Sequence, residues 1–296
     1  MDRTCPDNSL AGRILSAGAP VVVVRGPAAC GKTSAALAVY RHYIDPATAR
    51  PGCLLLGPNS PAVRDLRRRI AAGAPGSVAV APAAMTFAAL AGRVLLQAGV
   101  TDRSASPFER RLLLAKAVDD LCAAGDLPAL SAVADTPGLV VALDRAIAEI
   151  KRAAIEPDDL DRAVGRQKAS DRRGDLAKVY RQYQQELAAR GLYDVEGQAW
   201  LALEKLRLAI GQDRSMGVPP MRPTGILPVA AGQMQRQDAP ATHGRDARAT
   251  HGQDGPATDL PGLADVRAVV ADGFTDFTPT QLAILEAASA RLELVV

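Results

Sequence analysis

The sequence predicts an α/β fold, a parallel sheet carrying an inserted helical subdomain. Three observations predict it. Short β-branched or leucine-rich runs have the length of buried strands. Amphipathic helical patterns alternate with them, and a stretch of about 100 residues then loses the strand signal altogether. The 296 residues suit one large domain or two smaller ones.

The elements follow in order. Residues 19–24 (APVVVV) read as a buried strand, followed by a glycine-rich turn and a helix over SAALAVYRHYI. Residues 53–56 (CLLL) read as a second buried strand, ended by Gly57-Pro58-Asn59. A basic helix over 61–72, a short strand over 77–80 and a helix over 86–97 complete the first part of the α/β domain, residues 1–105. Residues 106–210 carry apolar residues at three- and four-residue spacing, as in PFERRLLLAKAVDDLCAA, LVVALDRAIAEIKRAA and GDLAKVYRQYQQELAAR, and form the helical subdomain. In residues 263–296 the sheet returns: a strand over 266–271 (VRAVVA), a helix over 280–289 and a strand over 292–296. That last pattern runs to the final residue, which raises the expectation of a truncated chain or of one that needs a partner's surface.

Residues 211–262 stand apart, with 8 Gly and 7 Pro in 52 positions and neither Lys nor an aromatic ring. That composition falls in the low-complexity range. Residues 241–248 (ATHGRDAR) are followed directly by a near copy, 249–256 (ATHGQDGP), a period too short for a solenoid unit. The expectation is a disordered insertion. His243 and His251 recur in it without the thiolates or carboxylates a metal site needs.

Composition narrows the function classes. Hydrophobic residues at 48% exclude a wholly disordered chain, and aromatics at 3% leave few rings for a base-stacking platform. The net charge of +3 permits a nucleic-acid partner without requiring one. Cys5, Cys30, Cys53 and Cys122 form no C-x-x-C pair, which speaks against a zinc site or a disulfide framework. No secretory signal and no apolar run of about 20 residues is present, so the expectation is a soluble, cytoplasmic protein with no membrane partner.

The strongest motif is Gly26-Pro27-Ala28-Ala29-Cys30-Gly31-Lys32-Thr33, a complete G-x-x-x-x-G-K-[ST] between a strand and a helix. In such a phosphate loop (P-loop), backbone N–H groups converge on phosphate oxygens and the helix N-terminus adds its positive end. Gly26 and Gly31 are expected to take backbone angles that a Cβ penalises and to let the chain close on its ligand. Lys32 is expected at the β- and γ-phosphates, Thr33 on Mg²⁺ and Ser34 near the α-phosphate. Asp272, after the strand VRAVVA, fits the Mg²⁺-side acid. The next residue is Gly273, where a water-orienting Glu would stand; Asp276 is a possible substitute or a turn residue.

These residues are similar to a known family. VVADGFTDFTPTQLAILEAAS resembles the second nucleotide motif of UvrD/Rep-type superfamily 1 helicases, in the form found in the AddB subunit of AddAB helicase–nucleases. CLLLGPNSPAVRDLRRRI resembles motif Ia, which touches single-stranded DNA. LDRAIAEIKRAAIEPDDL and LAKVYRQYQQELAARGLYDVEG resemble the helical 1B subdomain, with Tyr180, Tyr183, Leu187 and Asp194 at its usual positions. The resemblance implies a RecA-like P-loop sheet, ATP with Mg²⁺, single-stranded DNA, a helicase–nuclease partner subunit and double-strand-break repair. There are departures. No Q-motif precedes the loop, and the Asp-Glu of active motors is Asp272-Gly273. The expectation is that motif III, the second motor domain and the nuclease domain lie outside these 296 residues.

For DNA, Arg64, Arg67 and Arg68 share one helix face, and Asn59 with Ser60 lies at the helix start. A solvated arginine face explains the same spacing, and both readings stay open. Tyr180 and Tyr183 read as packing residues. The reading is an ATP-binding, helicase-like fragment of a DNA-repair subunit, with Lys32 and Asp272 as its catalytic pair and slow hydrolysis at most. A structural subunit that uses ATP only for stability, or an unrelated P-loop ATPase or kinase, remains open.

Overall fold

The computed structural model describes residues 9–44, 51–73, 83–166, 171–211 and 260–296. The element order is α1 (Leu10–Leu15), α2 (Lys32–His42), β1 (Cys53–Leu56), α3 (Ser60–Ala72), β2 (Ala84–Met85), α4 (Phe87–Gln97), β3 (Arg103–Ser104), α5 (Pro107–Ala123), α6 (Pro137–Arg152), α7 (Pro157–Arg166), α8 (Asp171–Ala189), β4 (Leu192–Tyr193), α9 (Val195–Ala209), β5 (Ala268–Ala271), α10 (Pro279–Ser289) and β6 (Leu294–Val295).

The main sheet runs β2-β1-β5-β6, every pair parallel. β1 sits at its centre because CLLL is apolar on both faces and wholly buried. Alternation divides the sheet's side chains between two cores. Leu54, Leu56, Val269 and Val295 face α4, α9 and α10. Cys53, Leu55, Ala268, Val270 and Leu294 face α1, α2 and α3. This is a parallel sheet with helices on both faces.

Residues 19–24 differ from the expected buried strand. They touch the sheet through a single parallel bridge, Val21 to Val295, with Val22 N donating to Val295 O at 2.8 Å and Val295 N to Pro20 O at 2.8 Å. Val21 and Val23 are 47% and 74% exposed. An apolar run signals a strand but not its place in the sheet. This one lies outside β6, with no described element beyond it. The expected strand over 77–80 lies outside the described residues; β2 follows at 84–85. The repeat with His243 and His251 also lies outside them.

The helical segment builds a third core from α5, α6 and α8, centred on Leu114, Ile147, Tyr180, Tyr183 and Leu187. Tyr180 OH donates to Ile155 O at 3.0 Å, so both tyrosines are packing residues, as their spacing suggested. α9 follows in sequence but packs Ala202, Leu203 and Leu206 against α4 and α10 beside the sheet. The short parallel pair β3–β4 lies where the helical segment leaves and rejoins the sheet layer.

A buried charge pair joins the two regions. Lys151 Nζ of α6 lies 2.6 Å from Asp194 Oδ1 and 2.7 Å from Gln184 Oε1, and 5.4 Å from the Trp200 ring centroid. Asp194 also caps α9 through Gly197 N at 2.7 Å and accepts from Tyr183 OH at 3.3 Å. Burial works to raise the Asp194 carboxyl, but Lys151, Gly197 N–H and Tyr183 outweigh it and hold the group below its ordinary value. Glu156 has no such compensation: its Oε1 is buried with no hydrogen-bond partner among the described residues. Burial, with Asp159 and Asp158 nearby, pushes its carboxyl up to about 7.

These groups generate two predictions. Lys151→Met leaves Asp194 uncompensated and should cost about 3–5 kcal/mol in chemical denaturation, while Lys116→Met, at the exposed pairs with Asp120 and Glu186, should leave the denaturation midpoint nearly unchanged. The Glu156 value lies above that of an unfolded carboxyl, so its stabilising protonated form is present in acid and lost as pH rises through about 7. Glu156→Gln should therefore raise the melting temperature at pH 8 and leave it nearly unchanged at pH 4.

Candidate functional site

At the carboxyl ends of the parallel strands lies the loop formed by residues 25–31, the crevice where open α/β sheets take ligands. α2 opens directly from it. Gly31 is its N-cap, with φ 88° and ψ 8°, and no side chain caps the helix. The N–H groups of the first turn therefore point toward the loop without a side-chain partner, backed by the positive end of the helix dipole.

The loop's left-handed residues are Ala29, at φ 61°, and Gly31. The sequence assigned that conformation to Gly26 and Gly31. Gly26 is glycine for a different reason: a Cβ there would lie 2.8 Å from Cys30 Sγ, so the chain closes on itself only without one. Ala29 in the left-handed region costs about 1–2 kcal/mol, which the surrounding loop must hold in place. Left-handed residues in such a turn help aim backbone N–H groups to one side, as in anion-binding nests.

Lys32 folds over this loop. Its Nζ donates to Gly26 O at 2.7 Å and Pro27 O at 2.6 Å, and lies 3.5 Å from Cys30 Sγ. One residue on, Thr33 Oγ1 donates to Asp272 at 2.9 Å from Oδ2 and 3.2 Å from Oδ1. Asp272 is fixed in turn by its own N–H, which donates to Leu56 O at 2.9 Å, just past the end of β5. Two residues 239 apart in sequence thus share one point at the sheet's carboxyl edge.

A hydroxyl and a carboxylate are hard oxygen donors. Among the described residues no group of three or more His, Cys, Asp or Glu could hold a metal ion. Two protein oxygens suit Mg²⁺, which keeps waters and takes its other ligands from phosphate oxygens, better than an all-protein cage. The residues present fit that ion. Gly273 has φ 82°, so a Glu there would enter a backbone region that side chains avoid. Asp276 is exposed on the same loop.

The five residues expected at DNA are divided by the structure. Asn59 Oδ1 caps α3 by accepting from Ala62 N at 2.9 Å. The Arg67 guanidinium donates to Ala84 O at 2.7 and 3.0 Å, tying α3 to β2. Arg68 lies 3.5 Å from Asp65 in an exposed pair. Ser60 and Arg64 are exposed at the helix start. The shared face is real, but Arg67 is engaged by the fold.

Sequence reasoning missed the ring cluster beside the site. Phe274 and Phe277 stack at 4.8 Å between centroids, and both meet Phe87 edge-on, at 5.5 and 6.2 Å. The three-residue spacing of Phe274 and Phe277 was visible, but their partner Phe87, distant in sequence, was not.

Comparison with known proteins bears on the same residues. A family model described as "ADDB, N-terminal" matches residues 23–210, which include the 26–33 loop but not Asp272. The B chain of the ATP-dependent helicase/deoxyribonuclease of Moorella thermoacetica is 32% identical over 183 residues, covering 57% of this chain. The matched part is 15% of that relative's length.

A double-mutant cycle tests the long-range contact. Thr33→Val and Asp272→Ala should couple by about 1 kcal/mol in unfolding free energy, and additivity within about 0.3 kcal/mol would deny that the two side chains meet.

Proposed function

The chain belongs to the AddB N-terminal family, and from that membership we propose that it is an ATP-binding, helicase-like part of a DNA-repair helicase–nuclease subunit. The observation that carries the proposal is the Thr33–Asp272 contact beside a lysine-bearing loop at an uncapped helix N-terminus. ATP would lie with its phosphates in the nest of residues 26–34, Lys32 turning from the Gly26 and Pro27 carbonyls toward the β- and γ-oxygens. Thr33 and Asp272 would hold Mg²⁺, which neutralises charge developing on the phosphates. The strand order supports a RecA-like reading, because β6 separates the 19–24 segment that leads into the loop from the acidic strand β5.

Single-stranded DNA is the proposed polymer, met along the face carrying Ser60, Arg64 and Arg68, with Asn59 at its start and Arg67 holding the face against β2. A partner subunit of the helicase–nuclease type and a cytoplasmic setting complete the reading. No described helix is long and apolar enough to cross a membrane.

The left-handed Gly273 favours slow turnover, and so lends weight to a second reading in which ATP stabilises a structural subunit. Family membership argues against an unrelated ATPase or kinase. Turnover by the purified chain, with and without single-stranded DNA, separates the two. Our reading expects DNA-stimulated hydrolysis on the order of 10⁻³ s⁻¹, lost in Lys32→Ala, and an Arg64→Ala variant whose DNA binding is weaker with a salt slope lower by about 1. ATP binding without any turnover, indifferent to DNA, would favour the structural subunit.

A further inference from the structure

The loop from Asp272 to Thr278 joins β5 to α10 and carries the acid of the site. Main-chain and capping bonds tether only its ends. Asp272 N donates to Leu56 O, and Thr278 forms a reciprocal cap with Gln281, at 3.2 Å from Gln281 N to its hydroxyl and 3.0 Å from its own N to Gln281 Oε1. Residues 273–277 make no hydrogen bond among the described residues. With φ at 82°, Gly273 sets the turn, and then two rings descend into the core.

Those rings land on a fixed point. Phe87 is buried at the first turn of α4, whose start is held by the Thr86 cap to Ala89 N at 3.2 Å. It follows β2, which is locked to β1 by parallel pairing and by Gly57 N donating to Met85 O at 3.0 Å. Edge-to-face and stacked rings constrain direction as well as distance. A carboxylate at position 272, just before Phe274, has its approach to Thr33 set by the rings.

We propose that Phe274 and Phe277, stacked on each other and set edge-on against Phe87, are positioning residues that aim the Asp272 carboxylate at Thr33 for a divalent cation. The proposal rests on the reading of this site as one for Mg²⁺ and nucleotide. The rings touch neither ion nor phosphate; they act through Asp272, as outer residues around metal sites do, where their loss weakens metal affinity about 10- to 100-fold.

The test is binding of a fluorescent methylanthraniloyl-ATP to the whole chain, titrated with MgCl₂. Phe274→Ala should raise the Mg²⁺ concentration for half-maximal effect about tenfold and leave Mg²⁺-free nucleotide affinity unchanged, with Phe274→Leu falling between it and the parent. Leu206→Ala, a truncation on α9 in the same core, should lower the melting temperature and leave the Mg²⁺ midpoint in place. An unchanged midpoint in Phe274→Ala, while Asp272→Asn does shift it, overturns the positioning role alone. A midpoint shift as large in Leu206→Ala also overturns it, because general loosening would then explain the effect. Failure of both Lys32→Ala and Asp272→Asn to alter binding would instead remove the nucleotide site and the proposal with it.

Discussion

The structure turns on one requirement: residue 272 must reach residue 33. No local preference brings them together, since they are 239 apart in sequence with the whole helical segment between them. The pairing of β1 with β5 does it, in the register Leu56 to Ala271, which sets Asp272 against the Leu56 carbonyl. Parallel strands need crossovers, here α3 between β1 and β2 and α10 between β5 and β6, so the pairing and the two-sided core are a single solution. Leu54, Leu55 and Leu56 are fully buried because both faces must be covered. The carboxyl edge that results is where the 26–33 loop, the start of α2 and Asp272 converge.

A second constraint joins the helical segment to this platform. Asp194 is at once partner of Lys151, acceptor from Tyr183 and cap of α9, so one carboxylate ties together α6, α8 and the start of α9. A buried charge is tolerated only when its oxygens are filled, and these are. α9 then carries that order into the sheet's core through Leu203 and Leu206. Arg67 performs a related service across α3 and β2, which leaves it less available to a ligand.

Much of this was legible in the sequence. CLLL at 53–56 predicted a buried strand because a short run without alternation must be covered on both faces. The structure adds reciprocal caps, Ser106 with Glu109 and Thr278 with Gln281, that depend only on local spacing. The lysine-bearing loop and Asp272 were found for the same reason: their chemistry is written in short motifs. What stayed hidden needed tertiary context. The valines at 21–24 are as apolar as a central strand, yet lie at the rim, because periodicity does not report neighbours. Ala29 took a left-handed angle that composition would give to glycine. No local pattern marks Lys151 as buried, and the Phe87–Phe274–Phe277 cluster joins residues far apart in sequence.

The most direct measurement is calorimetric titration of the folded chain with ATP and Mg²⁺, repeated on Lys32→Ala. The account predicts one nucleotide per chain, an affinity that falls when Mg²⁺ is withdrawn, and loss of binding in the variant. A folded chain that binds no ATP, or a Lys32→Ala variant that binds it as well as the parent, would contradict it.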